Sequence, residues 1–120
     1  MKKHSFKVKE TDFAKFESGI VHKVCATFSL AREIEWSSRL FVLEMLDEEE
    51  EGFGTMLNIK HLAPAFLHET VDVFATYSGI KAGEIICDVQ VLVGERKIAQ
   101  GKTGQKIVSK ERIKRLFRNN

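Results

Sequence analysis

Apolar and polar residues alternate along most of this chain. Ile20, His22, Val24, Ala26 and Phe28 share one parity, and Val21, Lys23, Cys25, Thr27 and Ser29 the other. That period of two predicts a strand. The rhythm returns over residues 53–63, 70–80, 84–93 and 97–108. Gly79, Gly83 and Gly94 sit at the turns joining the last three, and residues 94–97 (GERK) predict a tight hairpin. Between the first strand and these four the rhythm breaks. Trp36, Leu40, Phe41, Val42, Leu43, Met45 and Leu46 are too dense for a half-exposed helix, and a helix apolar nearly all round is a buried one. Ser37 or Ser38 is its natural N-cap, and the acidic run 47–51 followed by Gly52 ends it in solvent. The tail, residues 109–120, predicts a basic helix capped by Ser109 with Ile113, Leu116 and Phe117 on one side. Residues 1–18 carry Phe6, Val8, Phe13 and Phe16 at irregular spacing and read as a partly ordered leader.

One helix wrapped by so few strands requires a strongly curved antiparallel sheet, an α+β fold in one domain spanning 1–120. Strands of about ten residues, ~33 Å long, can bend that far. Such a sheet leaves an open edge, which pairing with a second copy closes most simply. A homodimer is expected, with higher assembly open.

Composition narrows the partners. The chain has 120 residues, 43% hydrophobic and 30% charged, ordinary for a soluble domain. A net charge of +2, with 17 acidic residues against 19 basic ones, argues against nucleic acid as partner. No apolar run reaches the ~20 residues of a membrane span, and the first ten residues lack a signal-peptide core. A cytoplasmic protein without a membrane partner is expected. There, Cys25 and Cys87 act as small buried hydrophobes rather than a disulfide. The chain has no CxxC, HxH or HExxH, so no metal site is expected.

Three kinds of side chain could carry chemistry. His61 follows Leu57 and Ile59 on the apolar parity of its strand and stands just before Pro64, the only proline. It reads either as a core imidazole or as an acid–base group at a strand end. Glu44 is the only acid between Trp36 and Leu46. If that helix is buried, its carboxylate has the raised pKa of a general base or nucleophile; if not, it faces water. Ser37 and Ser38 either cap the helix or hold a reacting group. Gly54, at the start of the His61 strand, is a turn glycine or a place of close backbone approach.

The stretch from Gly54 to Val108 resembles the fluoroacetyl-CoA thioesterase-like proteins of the hotdog-fold acyl-CoA thioesterase superfamily. The resemblance rests on the glycine, the strand ending His61-Leu62-Ala63-Pro64, Thr70-Val71 and Ala99-Gln100-Gly101. It implies a hotdog fold, active sites at a dimer interface, and no cofactor beyond the coenzyme A of an acyl-CoA substrate. It also implies that a His, a Glu on the central helix and a Thr or Ser at that helix's start act on the thioester. On this sequence these roles fall to His61, Glu44 and Ser37 or Ser38, with Gly54 binding substrate. In the family the glutamate follows its hydroxyl residue by eight positions; Glu44 follows Ser37 by seven and Ser38 by six. Arg96 and Lys97 are candidate contacts for the CoA phosphates. The function expected is hydrolysis of a short-chain or small acyl-CoA. The alternative is a non-catalytic acyl-CoA-binding protein.

Overall fold

The structure is a computed structural model that describes residues 1–16 and 18–118. Glu17 of the expected leader, and Asn119 and Asn120 of the expected tail helix, lie outside the described residues. In chain order the elements are β1 (Lys2–Lys7), a 3-10 turn (Glu10–Asp12), β2 (Phe13–Phe16), β3 (Gly19–Cys25) and α1 (Thr27–Met45). They continue with β4 (Glu50–His61), β5 (Thr70–Lys81), β6 (Glu84–Val93), β7 (Arg96–Ser109) and α2 (Lys110–Arg118).

Five strands form one antiparallel sheet in the order β1-β5-β6-β7-β4, and β2 and β3 form a separate hairpin. The sheet curls around α1, as the alternation requires. Leu30 and Ile34 of α1 pack against Val71, Val73 and Ala75 of β5, Val89 and Val91 of β6, and Ile98 and Ala99 of β7. His61 pairs with Ala99, Ile59 with Gly101 and Leu57 with Thr103, so the three lie on one face of β4. Ile59 packs against the core, which makes that face the one toward α1. The four later strands lie where the alternation predicts them, and Ser109 caps α2 by accepting the Arg112 N–H at 3.2 Å.

Three expectations are corrected. The leader is structured: β1 pairs with β5 along its length, and β2 pairs with β3. The first strand also stops at Cys25, and α1 begins at Thr27, ten residues before Ser37. Ala26 is the N-cap and supplies no side-chain bond. The cap comes instead from a distant residue, Asp12, whose carbonyl accepts the Ala26 N–H at 2.7 Å and the Ser29 hydroxyl at 3.1 Å. Its carboxylate, fully buried, accepts from Arg32 at 3.0 Å and from the Lys9 N–H at 3.0 Å. A negative group beside the first turns of a helix also complements its dipole. Nor is α1 buried all round. Leu30, Ile34, Ser37, Ser38 and Val42 face the sheet, while Phe28, Trp36, Leu43 and Met45 are exposed in the protomer.

Cys25 and Cys87 are both buried free thiols. Burial, reinforced by the nearby Asp12 carboxylate, pushes the Cys25 thiol up to about 12. No described helix is long and apolar enough to cross a membrane.

Asp12→Ala is expected to lower the unfolding free energy by about 2–3 kcal/mol, measured by urea denaturation, because two charge-assisted bonds go with the carboxylate. Cys25 gives a pH signature. The unfolded chain loses this proton above about pH 9, while the folded chain keeps it to about pH 12. Stability should therefore fall across that window by up to about 1.4 kcal/mol per pH unit from this group. The decline should be shallower in Cys25→Ala, and equal slopes would refute the assignment.

Candidate active site

The face of β4 that turns toward α1 brings His61 and Gly54 against polar side chains of the helix. At the strand's C-terminal end, His61 Nδ1 lies 2.9 Å from the Thr27 hydroxyl, on the first residue of α1. The imidazole's Nε2 is buried and has no hydrogen-bond partner among the described residues. The first-turn amides of α1 lack helical acceptors and give this end a partial positive charge. A hydroxyl, an imidazole and free N–H groups thus meet at one helix start, the donor set that an oxygen becoming anionic requires.

Seven residues earlier on the same strand, Gly54 faces Glu35. A Cβ built on Gly54 would stand 2.0 Å from the Glu35 Oε1. The carboxylate therefore occupies the room that glycine leaves. Glu35 is exposed on the protomer, on the flank of α1 that lies over Gly54. It borders a cleft of about 490 Å³ lined by Phe28, Ala31, Arg32, Glu35, Trp36 and Arg39. A second cleft, of about 400 Å³, lies between the β2 segment Ala14–Phe16 and the helix start Ala26–Phe28. Phe28 is a wall of both, so the two clefts flank one ring and border both Thr27 and Glu35.

The structure brings His61 and Gly54 into this arrangement, and neither Glu44 nor the two serines. Glu44 lies in the last turn of α1, its side chain 65% exposed and paired with Lys2. Ser37 and Ser38 sit mid-helix and buried. Their hydroxyls donate to the Ile34 carbonyl at 2.7 and 3.4 Å, and Thr103 donates to Ser38 at 2.7 Å. Arg96 is paired with Glu69 and stacks near the Phe66 ring, and Lys97 is exposed. Both lie at the start of β7, whose Ala99 pairs with His61.

Thr27 and Glu35, which the sequence analysis does not single out, are the hydroxyl and the acid that the structure places beside His61 and Gly54. The signal was available: Glu35 follows Thr27 by the eight positions that the resemblance implies. Assigning Thr27 to a strand hid it. Within one protomer those eight residues place the two groups ~12 Å apart along the helix axis. Among the described residues no group of three or more His, Cys, Asp or Glu side chains could hold a metal ion.

The family model described as fluoroacetyl-CoA-specific thioesterase (FlK) matches residues 8–111. Among solved structures, the chain is similar to a hypothetical protein of the thioesterase superfamily from Thermus thermophilus. The identity is 29%, the TM-score 0.93, and the match covers 98% of this chain and 88% of that one. A mutant of the thioesterase FlK in complex with fluoroacetate and CoA superposes at TM-score 0.86 with 20% identity, covering 98% and 96% of the two chains. A hot-dog-like protein from Thermanaerovibrio acidaminovorans superposes at TM-score 0.87 with 17% identity, covering 98% and 87%. No curated protein sequence matches the chain significantly.

Proposed function

The chain belongs to the fluoroacetyl-CoA-specific thioesterase family, and on that premise we propose that it is a cytoplasmic enzyme that hydrolyses a small acyl-CoA thioester. The observation that carries the reading is the Thr27–His61 contact at 2.9 Å at a helix start, with Glu35 seated over Gly54 further along the same helix and strand. In this reading Glu35 takes a proton from the water that attacks the thioester carbon. The Thr27 hydroxyl and the first-turn amides of α1 hold the carbonyl oxygen as it gains charge. The C–S bond then breaks, the imidazolium of His61 supplies the proton that the CoA thiolate takes up, and the proton held by Glu35 passes through water to the imidazole, which resets both groups as the carboxylate product leaves. The cleft beside Thr27, walled by Phe16 and Phe28, suits a small apolar acyl group. Arg96 and Lys97, at the His61 end of the sheet, are our candidates for the CoA phosphates.

A separation of ~12 Å along one helix is beyond the hydrogen-bond reach of acid–base partners, and we propose that a homodimer removes it. The outer edge of β4 pairs with no other described strand. Phe53 and Leu57 on β4, and Phe28, Trp36 and Leu43 on α1, are exposed apolar residues near it. If two copies pair β4 antiparallel about a twofold at Asn58, the extra residue at the Gly54/Met56 register shift brings Gly54 of one copy opposite His61 of the other. Each site then takes Thr27 and His61 from one subunit and Glu35 with Gly54 from the other, an isologous arrangement that uses the open edge.

Purified protein is expected to hydrolyse at least one member of a short acyl-CoA panel, read by thiol release. Glu35→Ala and His61→Ala should each lower kcat by at least about 100-fold, and Thr27→Ala by about tenfold or more. Gly54→Ala should lower kcat while the protein stays folded, because its methyl displaces the Glu35 carboxylate. Glu44→Ala should leave kcat unchanged. Wild-type rates no better than buffer across the panel would overturn the reading.

The shared site has its own test. Light scattering should give the mass of a dimer, and Leu57→Arg should shift it to a monomer. Glu35→Ala and His61→Ala proteins, each inactive, should regain about a quarter of wild-type activity when unfolded and refolded together, since half the dimers are mixed and each restores one of two sites. No recovery from the mixture would place both groups in one subunit.

A further inference from the structure

Gln105 lies under the Glu35 carboxylate in a state that packing alone does not account for. It stands on β7 directly opposite Gly54 in the β4–β7 register and is 2% exposed. Its Nε2 donates to the Glu35 backbone carbonyl at 3.4 Å. Its Oε1 is buried without a hydrogen-bond partner among the described residues. The carbonyl that it reaches belongs to the interior of a 19-residue helix, where the helix's own ladder already supplies a donor. The helix therefore does not need Gln105 to form.

The next helix-facing position on β7 gives the contrast. Thr103 is as buried as Gln105, but it donates to Ser38 at 2.7 Å, and Ser38 in turn bonds the Ile34 carbonyl. That chain is satisfied and ties α1 to the sheet. Gln105 is half satisfied. An apolar residue of its volume would fill the same space without leaving a polar atom orphaned, and such a replacement is neutral or stabilising. A buried amide kept at a net loss, against the one helical turn that presents the proposed base, has its explanation in what it does to that base.

We propose that Gln105 is a positioning residue for Glu35. Its amide clamps the α1 turn from below while the missing Cβ of Gly54 leaves the slot above it, so the carboxylate is held in one pose over β4. This inference deepens the reading of Glu35 as the base of a thioester hydrolase and rests on it.

The test compares Gln105→Met with Thr103→Val. Gln105→Met should melt at or above the wild-type temperature yet lose about 10- to 100-fold in kcat, with KM changed less than about threefold. Thr103→Val should do the reverse, melting lower with kcat near wild type. In a Glu35→Gln background, Gln105→Met should remove less than a further twofold. The carbon-13 shift of the Glu35 carboxyl, read at one fixed pH and needing no turnover, should differ between Gln105→Met and wild type. Wild-type kcat in Gln105→Met, an equal loss in both backgrounds, or an unmoved Glu35 carboxyl signal would each overturn the proposal. A wild-type protein inert toward every acyl-CoA would overturn the hydrolase reading alone, and the carboxyl signal would still decide Gln105.

Discussion

The close passage of α1 over β4 governs the rest of the structure. Two glycines on the helix-facing side of the strand permit it. A Cβ on Gly52 would stand 2.4 Å from a Val42 methyl, and one on Gly54 would stand 2.0 Å from the Glu35 carboxylate. Neither position tolerates even alanine without moving what lies above it. With the middle of α1 seated so low on the N-terminal half of β4, the antiparallel run of helix over strand carries the helix start to the strand's far end. Thr27 then meets His61 there. The hydroxyl–imidazole contact and the carboxylate slot are two ends of one packing solution.

The passage also explains where polar groups are found on α1. Its sheet-facing side carries Ser29, Ser37 and Ser38 among Leu30, Ile34 and Val42. Small residues let the helix approach, and their hydroxyls are absorbed by backbone carbonyls and by Thr103. A carboxylate on that side would have no such partner. Glu35 avoids the difficulty by lying on the flank beside Gly54, and Glu44 by emerging beyond the sheet to pair with Lys2.

Much of the fold was legible in the sequence for a simple reason. Alternation over β4 to β7 is enforced locally, because each strand buries one face against α1, and Gly83 and Gly94, at positive φ, mark the turns. The helix start was not legible. A local cap was sought, and the serines at 37 and 38 satisfied that rule, whereas the real stop signal is Asp12, fourteen residues before Ala26 in sequence and bonded to it through its backbone. Residues 26–29 keep the strand's parity, so the alternation alone carried the strand too far. His61 and Gly54 sit on a strand whose bounds the alternation predicts, whereas Thr27 and Glu35 sit on a helix whose start it does not. The family spacing of eight, applied along the whole chain rather than within the expected helix, selects the pair that the structure brings to β4.

The arrangement also separates what holds the protein together from what the proposed chemistry uses. The stable anchors of α1 are satisfied and buried: Asp12 with Arg32 and the first turn, Thr103 with Ser38, and the apolar row of Leu30, Ile34 and Val42. The groups assigned to chemistry leave hydrogen-bonding capacity or surface unfilled. Among the described residues, His61 has a buried nitrogen and Gln105 a buried oxygen without a hydrogen-bond partner, and Glu35 lies on an exposed flank beside the rings of Phe28 and Trp36. Unfilled capacity in this one region lowers stability while the site is empty and favours whatever fills it. Under the proposed pairing, a second subunit and a thioester are the two things that do so. The open β4 edge and the unfinished site then become a single feature, since closing the edge brings the missing half of each site within reach.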